Sequence, residues 1–136
     1  MIETLRRRFP EVVLLWTAAS FLVLFLELVI TRHTEELQMV GTVAALIGAI
    51  AALLALGPPL LRRLAVVVLA LVALTGLVGT AAHWKEGSES SGDHAYEYDD
   101  RDEYEDGEAK PPPLAPLGLS GTALLGILAA FARQED

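Results

Sequence analysis

Four long apolar segments contain most of the hydrophobic positions of this chain, and polar residues are concentrated between them. The segments cover residues 12–30, 39–56, 64–82 and 114–131. Each is about 18 to 20 residues long, and a helix of that length matches the roughly 30 Å hydrocarbon layer of a bilayer. Apolar and polar residues do not alternate within the segments, so strands are not expected. The pattern predicts an all-α integral membrane protein with four transmembrane helices.

The connections between the segments predict how the helices are arranged. Thr31 to Gln38 form a short link between the first two segments, and Gly57-Pro58-Pro59 predicts a tight turn after the second. Short links place consecutive helices antiparallel, so the chain should form one membrane domain, residues 1–136, built as an antiparallel four-helix bundle. A proline-rich stretch that includes Pro116 leads into the fourth segment.

Basic residues predict the orientation of the bundle, because arginine and lysine are retained on the cytoplasmic side. One side carries six: Arg6, Arg7, Arg8, Arg62, Arg63 and Arg133. The other side carries Arg32, Lys85, Arg101 and Lys110. Both termini are therefore expected in the cytoplasm, and the long link between the third and fourth segments outside. The excess of arginine over lysine, together with abundant alanine, is typical of a GC-rich bacterial genome, and we expect a protein of the bacterial inner membrane.

The long link, residues 85–110, is strongly acidic. Eleven acidic residues stand against three basic ones, and no aliphatic side chain is larger than alanine, so this stretch cannot bury a core and is expected to be flexible. Its three tyrosines alternate with acids, which would suit docking on a basic partner or loose retention of cations. A solvated spacer that keeps the outer surface anionic is the alternative. The chain has no cysteine, so disulfides are excluded.

Glu27 is the one ionisable residue within an apolar segment. Thr17, Ser20 and Glu27 recur at helical steps, which predicts a polar face directed into the bundle. A carboxyl inside a membrane is costly unless it is protonated or paired, so Glu27 is a functional candidate. Alternatively, it lies close enough to the outer interface to reach water.

All three histidines are expected on the outer side, next to acidic residues. His33 and Glu36 lie one helical turn apart, His83 ends the third segment, and His94 lies in the acidic loop. Imidazole and carboxylate are suitable ligands for Zn²⁺ or Cu²⁺, so His33, Glu36 and His83 form a hypothetical divalent-metal site. Their spacing matches no established metal motif, and interfacial histidines bonded to backbone or water are the alternative. No other cofactor is expected.

Small residues at four-residue spacing predict where helices contact each other in lipid. The fourth segment has one unbroken stripe, Gly118, Thr122, Gly126 and Ala130. The second segment has Gly41 with Ala45, and Ala44 with Gly48 and Ala52, and the third carries Gly76, Gly79 and Thr80 toward its outer end.

Two regions carry a resemblance to a known group of proteins. Glu27, His33 and Gln38 in the first hairpin, and the stretch from Pro113 to Leu128, resemble small four-span membrane proteins of bacteria that have no established activity. The resemblance implies the fold and the membrane location, and it implies no mechanism. The acidic loop of this chain is richer in acids than the resemblance leads us to expect.

The remaining motifs argue against an enzyme. Phosphate-binding glycine loops and a nucleophile with a nearby base are absent from the sequence, and scattered basic residues do not favour nucleic-acid binding. We expect a non-enzymatic accessory or interaction subunit, with the lipid bilayer and either a homo-oligomer or a larger membrane complex as partners, and with a cation-binding outer mouth as a hypothesis. The alternative is a small transporter or proton-coupled carrier that uses Glu27.

Overall fold

The computed structural model describes residues 2–30, 36–89 and 114–133, and almost all of these residues are α-helical. Four helices follow one another: α1 Ile2–Ile30, α2 Glu36–Leu54, α3 Pro59–Glu89 and α4 Leu114–Ala132. A tight turn at residues 55–58 connects α2 to α3. The predicted all-α fold with four helices is confirmed.

The helix ends differ from the predicted segment ends, because helices continue into polar sequence where hydropathy falls. α1 begins ten residues before the first apolar segment and contains Pro10. α3 begins at Pro59, a proline in the first turn, where its missing N–H costs no helical hydrogen bond. α3 also runs on to Glu89, so the first five residues of the stretch predicted as a flexible loop are helical. The rest of that stretch lies outside the described residues.

The helices form an antiparallel bundle with four neighbouring pairs. Each helix packs against the next in the chain, and α4 packs against α1, which leaves α1 and α3 on one diagonal and α2 and α4 on the other. The directions follow from individual contacts. The inward side of Gly48 meets Phe21 whereas Gly41 approaches Leu28, so α2 runs opposite to α1.

Small residues fill the interior of the bundle. Of the seventeen hydrophobic residues found buried in the described part of the chain, twelve are alanines, so the backbones approach each other more closely than leucine or isoleucine would permit. Phe21, Leu14 and Leu69 are the largest hydrophobic side chains that are fully buried. The predicted contact face of α2 is confirmed at Ala44, Ala45, Gly48 and Ala52, which are all buried, whereas Gly41 is only partly buried.

Three glycines mark the closest approaches between helices. A Cβ atom on Gly48 would lie 2.7 Å from the ring of Phe21. A Cβ on Gly76 would overlap Ser120 Oγ and lie 2.5 Å from the carbonyl oxygen of Pro116, which belongs to the backbone of α4. A Cβ on Gly126 would lie 3.0 Å from Thr17 and 3.1 Å from Leu69. Of these three positions, Gly76 therefore has the strongest steric requirement for glycine.

The stripe predicted along α4 is confirmed only in its second half. Gly126 and Ala130 are buried, whereas Gly118 is exposed and an added Cβ there would meet nothing within 4 Å. Each four-residue step turns the helix by about 40°, so Gly118 and Ala130 point about 120° apart. Ser120 and Ala123 occupy the buried positions at the beginning of this face instead.

Large apolar side chains cover the outside of the bundle. Trp16 and Val78 are each 69% exposed, and leucine, valine and isoleucine side chains are exposed along all four helices. α1 and α3 contain apolar stretches, Arg8–Ile30 and Pro59–Ala82, whose length and composition suit a membrane span, and only 22% and 28% of their most apolar windows are buried. The apolar parts of α2 and α4, Met39–Leu54 and Pro116–Ala132, are shorter.

Candidate functional site

The carboxyl of Glu27 lies on the outside of the bundle, not in its interior as the sequence pattern predicted. Thr17 is fully buried, Ser20 is partly buried and Glu27 is exposed. The reason is the phase of the helix. Ten residues turn an α-helix by about 80° less than three full turns, so Glu27 is displaced sideways from Thr17. Leu28 takes the inward-facing position near the end of α1, where it approaches Gly41.

The hypothetical metal ligands are only partly within the described chain. His33 and His94 lie outside the described residues. Glu36 is the first residue of α2, and His83 lies in α3 six residues before the helix ends. Because α2 and α3 are antiparallel neighbours, both residues belong to the same end of the bundle. Among the side chains that the structure describes, no three histidine, aspartate or glutamate residues cluster. The metal site stays a prediction.

Among the side chains that the structure describes, two polar ones are buried in the bundle, and both have hydrogen-bond partners. Thr17 Oγ1 donates to the carbonyl oxygen of Val13 at 2.8 Å within α1. Ser120 Oγ donates across helices to the carbonyl oxygen of Ala73 at 2.8 Å, and it lies 3.4 Å from the carbonyl oxygen of Pro116. Ser120 therefore bonds α4 to α3 where Gly76 permits the closest backbone approach. Neither hydroxyl is left without an acceptor.

A polar group that joins several helices lies at the opposite end of the bundle from Glu27, and we call it the arginine cap. It comprises Glu11 on α1, the carbonyl of Ala55 after α2, Arg62 on α3 and Arg133 after α4. Arg133 Nη1 donates to the carbonyl oxygen of Ala55 at 3.1 Å, and Arg133 Nη2 lies 3.4 Å from Glu11 Oε1. Arg62 Nη1 donates to the carbonyl oxygen of Arg133 at 3.2 Å.

The arginine cap connects all four helices through the guanidinium groups of Arg62 and Arg133. A guanidinium suits this position because its several N–H groups point in fixed, different directions. The guanidinium of Arg133 contacts Glu11 on α1 and the carbonyl oxygen of Ala55 just after α2, and the carbonyl oxygen of Arg133 accepts a hydrogen bond from Arg62 on α3. Glu11 is 43% exposed, so the ion pair itself contributes little, and the bonds to carbonyl oxygens carry most of the connection.

Sequence reasoning missed the arginine cap. In the sequence, Arg62 and Arg133 indicate only the orientation in the membrane, and Glu11 belongs to no recognisable motif. These residues are separated by 51 and 71 positions along the chain, so only the packing of the bundle brings them together. The signal that could have suggested the cap is the position of each charge just beyond an apolar segment.

Comparisons with known proteins add no assignment for this site. No protein family, no curated protein and no solved structure matches the chain at a significant level. The resemblance to small four-span bacterial membrane proteins therefore stays a prediction.

Proposed function

We propose that this chain is a non-enzymatic multi-pass protein of a bacterial inner membrane, in which all four helices cross the bilayer. In this proposal it acts as an accessory or interaction subunit. The orientation rests on the basic residues, which put both termini and the arginine cap in the cytoplasm. The acidic segment and the hypothetical cation site at His33, Glu36 and His83 then face outward. The resemblance noted in the sequence supports the same location.

The proposal rests on the difference in side-chain size between the interior and the outer surface of the bundle. Alanine and glycine line the inside, while leucine, valine, isoleucine, phenylalanine and tryptophan cover the outside. In water this arrangement would leave a large apolar surface exposed along the whole bundle, at a cost of roughly 25 cal/mol per Å². In a bilayer the same surface is solvated by lipid tails, and small interior residues allow the close packing that drives helix association there.

The shorter helices are compatible with a full span. The apolar parts of α2 and α4 have at most 17 residues, which corresponds to about 25 Å of helix. A bilayer about 30 Å thick accommodates such a difference by local thinning, at a fraction of a kcal/mol per Å. Each of α2 and α4 also packs between α1 and α3, so protein as well as lipid surrounds these shorter helices.

The interior supports an accessory role over a carrier. A carrier needs polar or ionisable groups near the middle of the membrane that open to each side in turn. The buried polar residues among the described part of the chain are Thr17 and Ser120, and both hydroxyls already donate to carbonyl oxygens. Glu27 lies on the outer surface of α1.

Reconstitution of the full chain into vesicles of neutral phospholipid separates the two functions. The accessory role predicts that a pH gradient across vesicles containing the protein decays no faster than across empty vesicles, and that Glu27→Gln changes nothing. A proton flux that depends on the protein and is abolished in Glu27→Gln would replace the accessory proposal with the carrier. Ser20→Ala, on the same helix, serves as the control substitution.

A further inference from the structure

The end of the bundle that carries the arginine cap has an excess of positive charge. The described side chains there are Arg8, Glu11, Arg62, Arg63 and Arg133, which is four arginines and one glutamate. The adjoining sequence adds two arginines, Arg6 and Arg7, and three acids, Glu3, Glu135 and Asp136, so the balance stays positive. Arg8 and Arg63 are exposed, whereas Arg62 and Arg133 are partly buried.

Among the described residues, part of this positive charge has no counter-ion. Glu11 lies 3.4 Å from Arg133, and Arg62 donates to a neutral carbonyl oxygen. Arg62 Nε is shielded from solvent and has no hydrogen-bond acceptor among the described residues. Arg8 precedes Glu11 by three residues, which puts both on the same face of α1. A net positive field therefore surrounds Glu11, and the exposed guanidinium groups of Arg8 and Arg63 extend it outward.

These arginines stand where the apolar surface of the long helices ends. Arg8 begins the apolar stretch of α1, and Arg63 follows the start of the apolar stretch of α3 at Pro59. If the helices span a bilayer, as the proposed function requires, this level coincides with the phosphate layer of the cytoplasmic leaflet. Guanidinium binds phosphate oxygens in a bidentate manner and retains its charge in any membrane environment.

We propose that the arginine end of the bundle binds the headgroups of anionic phospholipids, with Arg8 on α1 and Arg63 on α3 as the exposed phosphate-binding side chains. Because α1 and α3 lie on a diagonal of the bundle, each arginine binds a separate headgroup. This inference rests on the proposed membrane location. Anionic lipids attract basic residues next to a span with an energy that corresponds to roughly a fivefold change in affinity for each arginine. The partly buried Arg62 and Arg133 strengthen the attraction by contributing charge from within the cap.

Lipid titration of the full-length protein in a non-ionic detergent tests the proposal. Phosphatidylglycerol and phosphatidylcholine are added separately, and bound lipid is counted by native mass spectrometry. We expect phosphatidylglycerol to bind more tightly, and Arg8→Gln and Arg63→Gln each to lower its affinity by roughly fivefold. Arg32→Gln removes the same charge from the link between α1 and α2 and should leave the affinity unchanged. These substitutions avoid Arg62 and Arg133, which hold the helices together.

Three outcomes would overturn the inference. They are equal binding of the two lipids, an unchanged preference in an Arg8→Gln/Arg63→Gln double variant, and an equal loss of affinity in Arg32→Gln. Glycerol phosphate is added in a parallel arm, and displacement of the lipid by this soluble phosphate at equal ionic strength would assign the site to a free ligand instead. Flotation with pure phosphatidylcholine vesicles tests the membrane location separately. A protein that floats but shows no lipid preference overturns this inference alone.

Discussion

The inside and the outside of the bundle follow opposite rules. Inside, alanine and glycine allow the helix backbones to approach each other closely. Outside, large apolar side chains project from every helix, and the described part of the chain does not cover them. A water-soluble four-helix bundle has the reverse arrangement, with leucine and isoleucine in the core and charges on the surface. The small interior residues determine how closely the helices pack. The large apolar residues on the outside determine whether the bundle is stable in lipid or in water.

A charge in the middle of the outside surface should have the largest effect. Leu71 is 59% exposed near the midpoint of the apolar stretch of α3. An arginine at the centre of a membrane helix costs about 2.5 to 3.5 kcal/mol for insertion, whereas a surface substitution in water usually changes stability by less than about 0.5 kcal/mol. We expect Leu71→Arg to reduce the membrane-inserted fraction strongly in an insertion assay.

Leu60 supplies the matched control for that prediction. It is 70% exposed at the first turn of α3, beside the two native arginines of that helix. Leu60→Arg introduces the same side chain at the end of the span, so it should insert normally. Equal insertion of the two variants would contradict a lipid-facing surface.

The next largest effect is expected at the closest backbone contact inside the bundle. In Gly76→Ala the new methyl group would lie 2.5 Å from the carbonyl oxygen of Pro116, and a backbone atom cannot move aside cheaply. Overpacking of this kind costs typically 1 to 3 kcal/mol, and we expect the upper part of that range. Gly121→Ala is the control, because nothing lies within 4 Å of a Cβ at that position. Thermal unfolding in detergent should separate the two variants clearly.

Gly48 tests a contact of a different kind, because its neighbour is a side chain. A Cβ there would lie 2.7 to 2.9 Å from three ring atoms of the fully buried Phe21. We expect Gly48→Ala to destabilise the bundle by about 1 to 2 kcal/mol, less than Gly76→Ala, since a ring can shift where a backbone cannot. The double variant Phe21→Leu/Gly48→Ala should be more stable than the sum of the single effects predicts. Strict additivity would show that the two residues do not meet.

The interhelical hydrogen bond of Ser120 should contribute the smallest effect. Such bonds within membranes average about 0.6 kcal/mol and reach about 1.7 kcal/mol. Ser120→Ala is expected to lower stability by an amount in this range, because the carbonyl of Ala73 keeps its helical partner but loses the hydroxyl donor. Thr75→Val is the control, since Thr75 Oγ1 bonds only within α3, to Leu71. An equal loss in both variants would assign the effect to helix propensity.

The sequence was informative where a property is local and uninformative where it depends on packing. Hydropathy predicted four helices because each apolar segment is long enough to be recognised on its own. The stripe in α4 was half wrong, because four-residue spacing drifts around the helix and does not by itself choose between Gly118 and Ser120. The sequence pattern wrongly predicts an inward-facing Glu27 for the same reason, because residues at helical steps drift around the helix axis. The arginine cap requires residues that are distant in the chain to converge, and no local pattern specifies that.

Cysteine accessibility tests the central claim, that all four helices face lipid, most directly. The chain has no cysteine, so single cysteines can be introduced at exposed positions near the middle of each helix without background: Leu22, Ile47, Leu71 and Leu124. Leu60→Cys, at the exposed start of α3, is the reference. Labelling with a charged maleimide is done in permeabilised membranes and repeated after denaturation in SDS.

The account predicts rapid labelling of the cysteine at position 60 and almost none at the four mid-helix positions until SDS is added, although these side chains are exposed in the folded chain. Lipid would exclude the charged reagent and keep the thiol from ionising. Labelling of positions 47 or 124 at the rate of position 60 would show that α2 or α4 faces water. That result would contradict the four-span bundle.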